Sequence, residues 1–315
     1  MCIAPICRRS LALVGAVLAV FALATPPVFA ADENSSTSTG ELTAIKAVVL
    51  GLVEGVTEYL PVSSTGHLIV AERMMNLGDT RDNKALDSYT VIIQAGAILA
   101  VVVLYRQRIV SILRGLFGRD PSGRQLLVAL IAAFLPAAII GKTVKGTIED
   151  RLLEVGPVVA AWIVGGVVIL LIAQRYRAAA VAGKTLEFLT WKHGLIIGCA
   201  QALALWPGVS RSLVTILGAV LIGYSLAAAL EFSFLLGLAT LSAATILELV
   251  TNGSELKATY GVTNPLIGVI VAGVSAFIAV KWMVGYLQRH DLKVFGYYRI
   301  AIGIIVAGLA AAGAF

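Results

Sequence analysis

The chain has 315 residues, 59% of them hydrophobic and only 13% charged, with a mean hydropathy of +0.92. These values exclude an ordinary soluble domain and indicate a polytopic membrane protein. The net charge of +6 does not point to nucleic acid, because the basic residues fall in short gaps between apolar runs, as cytoplasmic loops require.

The N-terminus reads as a targeting segment. Arg8 and Arg9 precede the apolar run LALVGAVLAVFALA, and Val28 and Ala30 place small residues at −3 and −1 of a cleavage point before Ala31. Residues 1–30 are therefore expected to be a signal peptide, with an uncleaved signal anchor as the alternative. Residues 31–41 are polar and without periodicity, so a disordered leader is expected there. Cys2 and Cys7 lie in the targeting segment and Cys199 stands among apolar neighbours, which leaves no disulfide or metal-thiolate framework.

Six apolar spans follow, near 88–105, 126–141, 156–174, 229–250, 263–286 and 296–314. Two more apolar stretches, about 42–76 and 194–224, are broken in the middle by proline and polar residues. A spanning helix needs about 20 consecutive apolar residues, so both are expected to be re-entrant, with irregular backbone at the break tolerated where it lines a protein cavity. The basic residues cluster in three loops: Arg106, Arg108, Arg114, Arg119 and Arg124; Arg175, Arg177, Lys184 and Lys192; and Arg289, Lys293 and Arg299. The positive-inside rule puts these loops in the cytoplasm, both termini outside, and the two broken segments entering from opposite faces.

Opposite entry implies an inverted repeat. A constant shift of 147 places Gly51 on Gly198, Glu54 on Gln201, Ser63 on Ser210, Ser64 on Arg211 and Thr65 on Ser212. Sites at the midplane between such repeats, built from broken helices, recur in membrane transporters. The expected fold is thus an all-α polytopic membrane protein with six transmembrane helices plus two re-entrant helix-turn-helix hairpins arranged as inverted repeats. It forms a single membrane domain over 42–315, with repeats at about 42–174 and 194–315.

The polar breaks carry the chemistry. An ionisable side chain at membrane depth costs roughly 2.5–3.5 kcal/mol on insertion scales, which makes Glu54 and Glu58 candidates for function. Being i and i+4 they share a helical face, close enough to hold a divalent cation together or to divide base and electrostatic roles. Pro61 is expected to end that helix, leaving Ser63, Ser64 and Thr65 on a turn whose hydroxyls and N–H groups can converge on an anion, with His67 just beyond. In the second break, Gly208 allows close backbone approach and Arg211, between Ser210 and Ser212, supplies a planar fork suited to phosphate oxygens. The local alternatives are helix capping for Ser63 and Ser212, a hydrogen-bonded structural role for His67, neutralisation of a basic partner by Glu231, and packing for Trp206. Buried charge on both halves is not explained that way, and carboxylates, hydroxyls and an arginine together indicate phosphoryl chemistry.

The segments EGVTEYLPVSSTGH, IIQAGAILAVVV at 92–103, ALWPGVSRS at 204–212 and EFSFLL at 231–236 resemble the undecaprenyl-pyrophosphate phosphatase family of the bacitracin-resistance type. The resemblance spans the chain beyond the leader. It implies an integral membrane phosphatase that takes undecaprenyl pyrophosphate to the monophosphate carrier of cell-wall synthesis, with a divalent cation (Mg²⁺ or Ca²⁺) and a site open to the periplasm. It places the family's paired glutamates on Glu54 and Glu58, its nucleophile on Ser64, its histidine on His67 and its phosphate-binding pair on Ser210 and Arg211. Glu58 is the first choice as base for Ser64 and His67 the second. The chain departs from the family pattern at Leu213, Val214, Leu226 and Ala239. A transporter that flips a lipid phosphate carrier is the alternative of another class, and association into a homo-oligomer is left open.

Overall fold

The structure, a computed structural model, describes residues 41–78 and 83–314. The expected signal peptide and almost all of the leader lie outside the described residues. Regular structure is helical: α1 (Ala44–Thr57), α2 (Ser64–Met74), α3 (Lys84–Leu104), α4 (Arg106–Leu116), α5 (Pro121–Arg151), α6 (Val155–Ala182), α7 (Trp191–Ala202), α8 (Arg211–Leu221), α9 (Leu226–Tyr260), α10 (Thr263–Leu287) and α11 (Lys293–Ala311), with short 3₁₀ turns at Leu186–Phe188 and Leu203–Leu205. The helix starts follow from local chemistry. Thr43, Asn83, Asp120, Thr190 and Ser225 each accept a backbone N–H with the side chain at the first turn, and Pro121 stands at the start of α5, where its missing N–H costs nothing.

Among the described residues, α3, α5, α6, α9, α10 and α11 are long and apolar enough to cross a membrane. They coincide with the six expected spans. Their outer faces carry large exposed apolar side chains such as Ile139, Leu171 and Val250, as lipid contact demands. Pro136 lies inside α5 without breaking it. The helices α1, α2, α7 and α8 have 14, 11, 12 and 11 residues, roughly 16–21 Å at 1.5 Å per residue, so none alone crosses a ~30 Å hydrocarbon layer.

The shift of 147 carries α2 exactly onto α8, and the start of α1 onto the start of α7. Packing obeys the same relation. Helix α1 lies against α10 and α7 against α5, while α11 lies along α6. A Cβ on Gly51 would collide with the Gly268 backbone, and one on Gly198 with the Ala133 backbone. Such close approach is how helices associate in lipid, where burial of apolar surface provides no drive.

Three features differ from the sequence expectation. Helix α1 ends at Thr57, four residues before Pro61, and Glu58 to Val62 form a turn, because Pro61 has no N–H for the Thr57 carbonyl four residues back and its ring clashes with it. The basic segment after the first span folds into α4, with Val110, Leu113, Leu116 and Phe117 exposed beside its arginines. Arg299 is not a loop cation: it lies inside α11 and is fully buried.

Candidate active site

The two polar turns meet. Glu58, the residue after the last turn of α1, receives two donors: the Ser64 hydroxyl on Oε2, in a short hydrogen bond, and Arg211 Nη2 on Oε1 at 2.9 Å. One carboxylate thus joins the first residue of α2 to the first residue of α8. Ser64 and Glu58 are nearly buried, and the Arg211 side chain is 12% exposed. Arg211 also donates Nη1 to the Ser233 carbonyl at 3.1 Å and lies over the Tyr59 ring, its carbon 5.5 Å from the centroid. Gly237 on α9 makes room for the guanidinium, since a Cβ there would strike it. The Nε donor of Arg211 is buried and unpartnered.

The backbone of both turns is unusual in the same way. Ser63 has φ 73° and ψ 103°, and Ser210 has φ 71° and ψ 111°. Left-handed φ in a residue with a Cβ costs of order 1–3 kcal/mol and survives only where surroundings over-determine it. Each serine caps the helix that follows, Ser63 Oγ accepting from Gly66 N–H at 3.5 Å and Ser210 Oγ from Leu213 N–H at 3.3 Å. Capping was the alternative weighed for Ser63 and Ser212; Ser63 does cap, and in the second turn the cap is Ser210. Ser212, one residue into α8, instead donates to the Leu60 carbonyl at 2.9 Å and lies 3.1 Å from Ser210 Oγ, tying the second turn to the first. Thr65 is exposed toward the cavity that the turns line.

Arg299 completes the junction and was missed from the sequence. Its guanidinium donates to the carbonyls of Ala161 and Gly208 at 2.8 Å each, Pro61 at 3.3 Å and Trp162 at 3.4 Å. It therefore holds a carbonyl of each turn against α6. The signal was present in the arginine's position within the apolar run 296–314, where an ionisable group implies a function.

His67 is fully buried. Its Nδ1 lies 2.6 Å from the Ser63 carbonyl oxygen, which only accepts, so Nδ1 donates there and Nε2 of the neutral ring accepts from the Tyr298 hydroxyl at 2.7 Å. The ring stacks on Tyr298 and leans on Trp162, whose Nε1 donates to the Val62 carbonyl at 2.9 Å. Glu231 pairs with Arg108 at 2.5 Å on the partly exposed surface, the neutralising role weighed for it. Trp206 is half exposed and donates to the Pro157 carbonyl at 3.2 Å. Leu213, a departure from the family pattern, is buried in the main core.

Glu54 is fully buried, and both of its carboxylate oxygens lack a hydrogen-bond partner. An anionic group in that condition calls for a cation or a proton. No group of three or more His, Cys, Asp or Glu side chains is gathered among the described residues. Glu54 and Glu58 are the carboxylates that could hold a cation here; an ion taking one or two carboxylates would complete its shell with other oxygens, as Mg²⁺ does, and of the pair Glu58 lines the cavity.

Glu58, Ser63, Ser64, Thr65, Gln201, Ser210 and Arg211 line one cavity of about 810 Å³. Its other walls are largely apolar, with Phe134, Ala137 and Ala138 from α5 and Leu241, Ala244 and Leu247 from α9. Lys142 and Gln94 add two polar groups. A volume of this size suits a small-molecule headgroup together with the start of an apolar chain.

Residues 47–305 match the family model described as bacitracin resistance protein BacA. The chain is 43% identical over 265 residues to an undecaprenyl-diphosphatase of Sorangium cellulosum, covering 84% of this chain and 85% of the relative. It is 43% identical over 271 residues to undecaprenyl-diphosphatase 2 of Rhodospirillum rubrum, with 85% and 96% covered. An undecaprenyl-diphosphatase of Dechloromonas aromatica is 41% identical over 262 residues, with 83% and 93% covered. With the match running through both polar turns and every spanning helix, the chain belongs to the BacA bacitracin resistance protein family.

Proposed function

We propose that this protein is a membrane phosphatase that hydrolyses undecaprenyl pyrophosphate to undecaprenyl phosphate and inorganic phosphate, recycling the lipid carrier of peptidoglycan synthesis. The observation that carries the reading is the double engagement of Glu58, which places a hydroxyl and a guanidinium on one carboxylate at the wall of a partly apolar cavity. A transporter of the same lipid needs no activated hydroxyl.

Glu58 Oε2 takes the Ser64 proton as Ser64 Oγ attacks the terminal phosphorus in line. The anhydride P–O bond breaks, and the lipid monophosphate leaves with the bridging oxygen. Glu58 passes that proton to the departing lipid phosphate; water then attacks the phosphoserine, Glu58 takes its proton and delivers it to Ser64 Oγ as the P–Oγ bond breaks, releasing phosphate and the free Ser64 hydroxyl. Arg211 retains three N–H groups beyond those given to Glu58 and Ser233, including the bare Nε, with which to hold phosphoryl oxygens as charge develops. Ser63, Thr65 and Ser210 bring hydroxyls to the cavity wall where the phosphate would lie, whereas Ser212, expected among the phosphate-binding residues, is buried and bonded to the Leu60 carbonyl, and His67 fixes the Ser63 carbonyl. Glu54 and Glu58 would hold the divalent cation, Mg²⁺ or Ca²⁺, whose chemistry here is neutralisation of the pyrophosphate charge.

The two broken helix pairs form re-entrant hairpins related as inverted repeats. Support comes from the shared shift of 147, the matching φ at Ser63 and Ser210, and the equivalent packing of α1 on α10 and α7 on α5. The site opens to the periplasm. The cationic segments around α4, after α6 and before α11 mark the cytoplasmic side, and the cavity-lining residues Lys142 and Leu247 lie in the halves of α5 and α9 that point away from it.

Phosphate release from undecaprenyl pyrophosphate by the purified protein in detergent, where transport is impossible, tests the activity. The wild type should turn over, and Ser64→Ala should lose about three orders of magnitude in kcat with lipid binding preserved. Turnover of that variant near the wild-type rate would sink the covalent route.

A further inference from the structure

Gln201 stands in the last turn of α7, is 3% exposed and lines the cavity. Both amide atoms, Nε2 and Oε1, are buried without a partner. An unsatisfied buried amide is destabilising where an apolar side chain of the same length would not be. By the shift of 147, Gln201 is the counterpart of Glu54, whose oxygens are likewise buried and unpartnered. Each hairpin thus carries one orphaned polar side chain at the same position; of the two only Gln201 lines the cavity, and the two differ in chemistry. A carboxylate only accepts, whereas an amide carries two N–H donors. A phosphate group offers only acceptor oxygens near neutral pH, so of the pair Gln201 is the one that can bond to it.

We propose that Gln201 contacts the substrate, its amide N–H donating to a phosphate oxygen of the bound lipid diphosphate, and that an amide stands here because it binds the anion without adding charge. Glu54 and Glu58 already place two carboxylates against Arg211. A third, at the equivalent position of the second hairpin, would repel the diphosphate in a region where screening is weak. The inference rests on the phosphatase reading above.

Wild type, Gln201→Leu and Gln201→Glu are compared in detergent by three readouts: steady-state phosphate release from undecaprenyl pyrophosphate, affinity for a methylene-bridged isoprenyl diphosphate that cannot be cleaved, and thermal midpoint. Gln201→Leu should raise KM and weaken analogue binding about tenfold, well beyond any loss in kcat, with a thermal midpoint equal to or above wild type. Gln201→Glu, of the same shape, should weaken both about a hundredfold. A purely structural amide predicts the opposite, a lowered midpoint in the Leu variant with analogue affinity unchanged, and that result overturns the proposal. Should the Leu variant not purify, wild-type analogue affinity in Gln201→Glu overturns it by itself. A wild type that binds the analogue but releases no phosphate refutes the phosphatase reading instead, and the analogue affinities of the variants still decide the role of Gln201.

Discussion

Replacing Glu58 by glutamine tests the centre of the site with little change of shape. The carboxylate accepts from Ser64 on one oxygen and from Arg211 on the other. An amide turned with its oxygen toward Arg211 can donate its N–H₂ to Ser64 Oγ, since a hydroxyl also accepts, so the variant keeps the shape but loses the negative charge that pairs with Arg211 and the proton acceptor for Ser64. Loss of a general base is worth about 10²–10⁴ in rate. Breaking a buried ion pair by removing one partner costs about 3–5 kcal/mol, and the lower end applies here because Arg211 keeps the Ser233 carbonyl. Glu58→Gln should therefore lose about 10³ in kcat, roughly 4 kcal/mol of barrier, and show a lower thermal midpoint than wild type. Ser64→Ala, which leaves the Glu58–Arg211 pair intact, should lose rate without a comparable drop in midpoint. The assay is phosphate release in detergent with a parallel melting curve. If Glu58→Gln turned over within tenfold of wild type while Ser64→Ala were inactive, Glu58 would not be the base and the mechanism above would be wrong.

Four further outcomes follow from the geometry. Arg211→Lys keeps the charge but not the fork, and should lose at least about tenfold in kcat, roughly 1.4 kcal/mol, with Arg211→Ala losing more; a fully active Lys variant would make Arg211 a structural partner of Glu58 only. His67→Gln should leave the acid limb of the pH–rate profile in place, since both ring nitrogens are engaged with Ser63 and Tyr298; disappearance of that limb would make His67 the proton acceptor. Arg299→Met leaves four carbonyls of the turns and α6 without their donor and should lower the thermal midpoint strongly, and the rate with it; a midpoint within a degree or two of wild type would contradict the bracing role. In a cysteine-free background, Thr263→Cys should react with an impermeant thiol reagent applied outside spheroplasts and Ser122→Cys should not, and the reverse pattern would invert the orientation.

Much was legible in the sequence because the membrane imposes strong local rules. Backbone groups in lipid must be satisfied within the segment, so apolar length alone located the six long helices, and polar interruption located the two breaks. The cost of intramembrane charge singled out Glu54, Glu58 and Arg211 as candidates, and Glu58 and Arg211 do meet in the structure. What the sequence could not fix was which atoms meet. Glu58 and Arg211 are 153 residues apart, and nothing local says that one carboxylate receives both Arg211 and Ser64. That junction exists only because α1 packs on α10, α7 on α5, and Ser212 and Arg299 tie the turns together. The same tertiary contacts decided that His67 is bound by Tyr298, that the second cap is Ser210, and that Arg299 is buried rather than set in a loop. Periodicity and insertion cost act along the chain and can be read from it, whereas hydrogen-bond partners between distant segments are set by helix packing, which one strand of sequence does not contain.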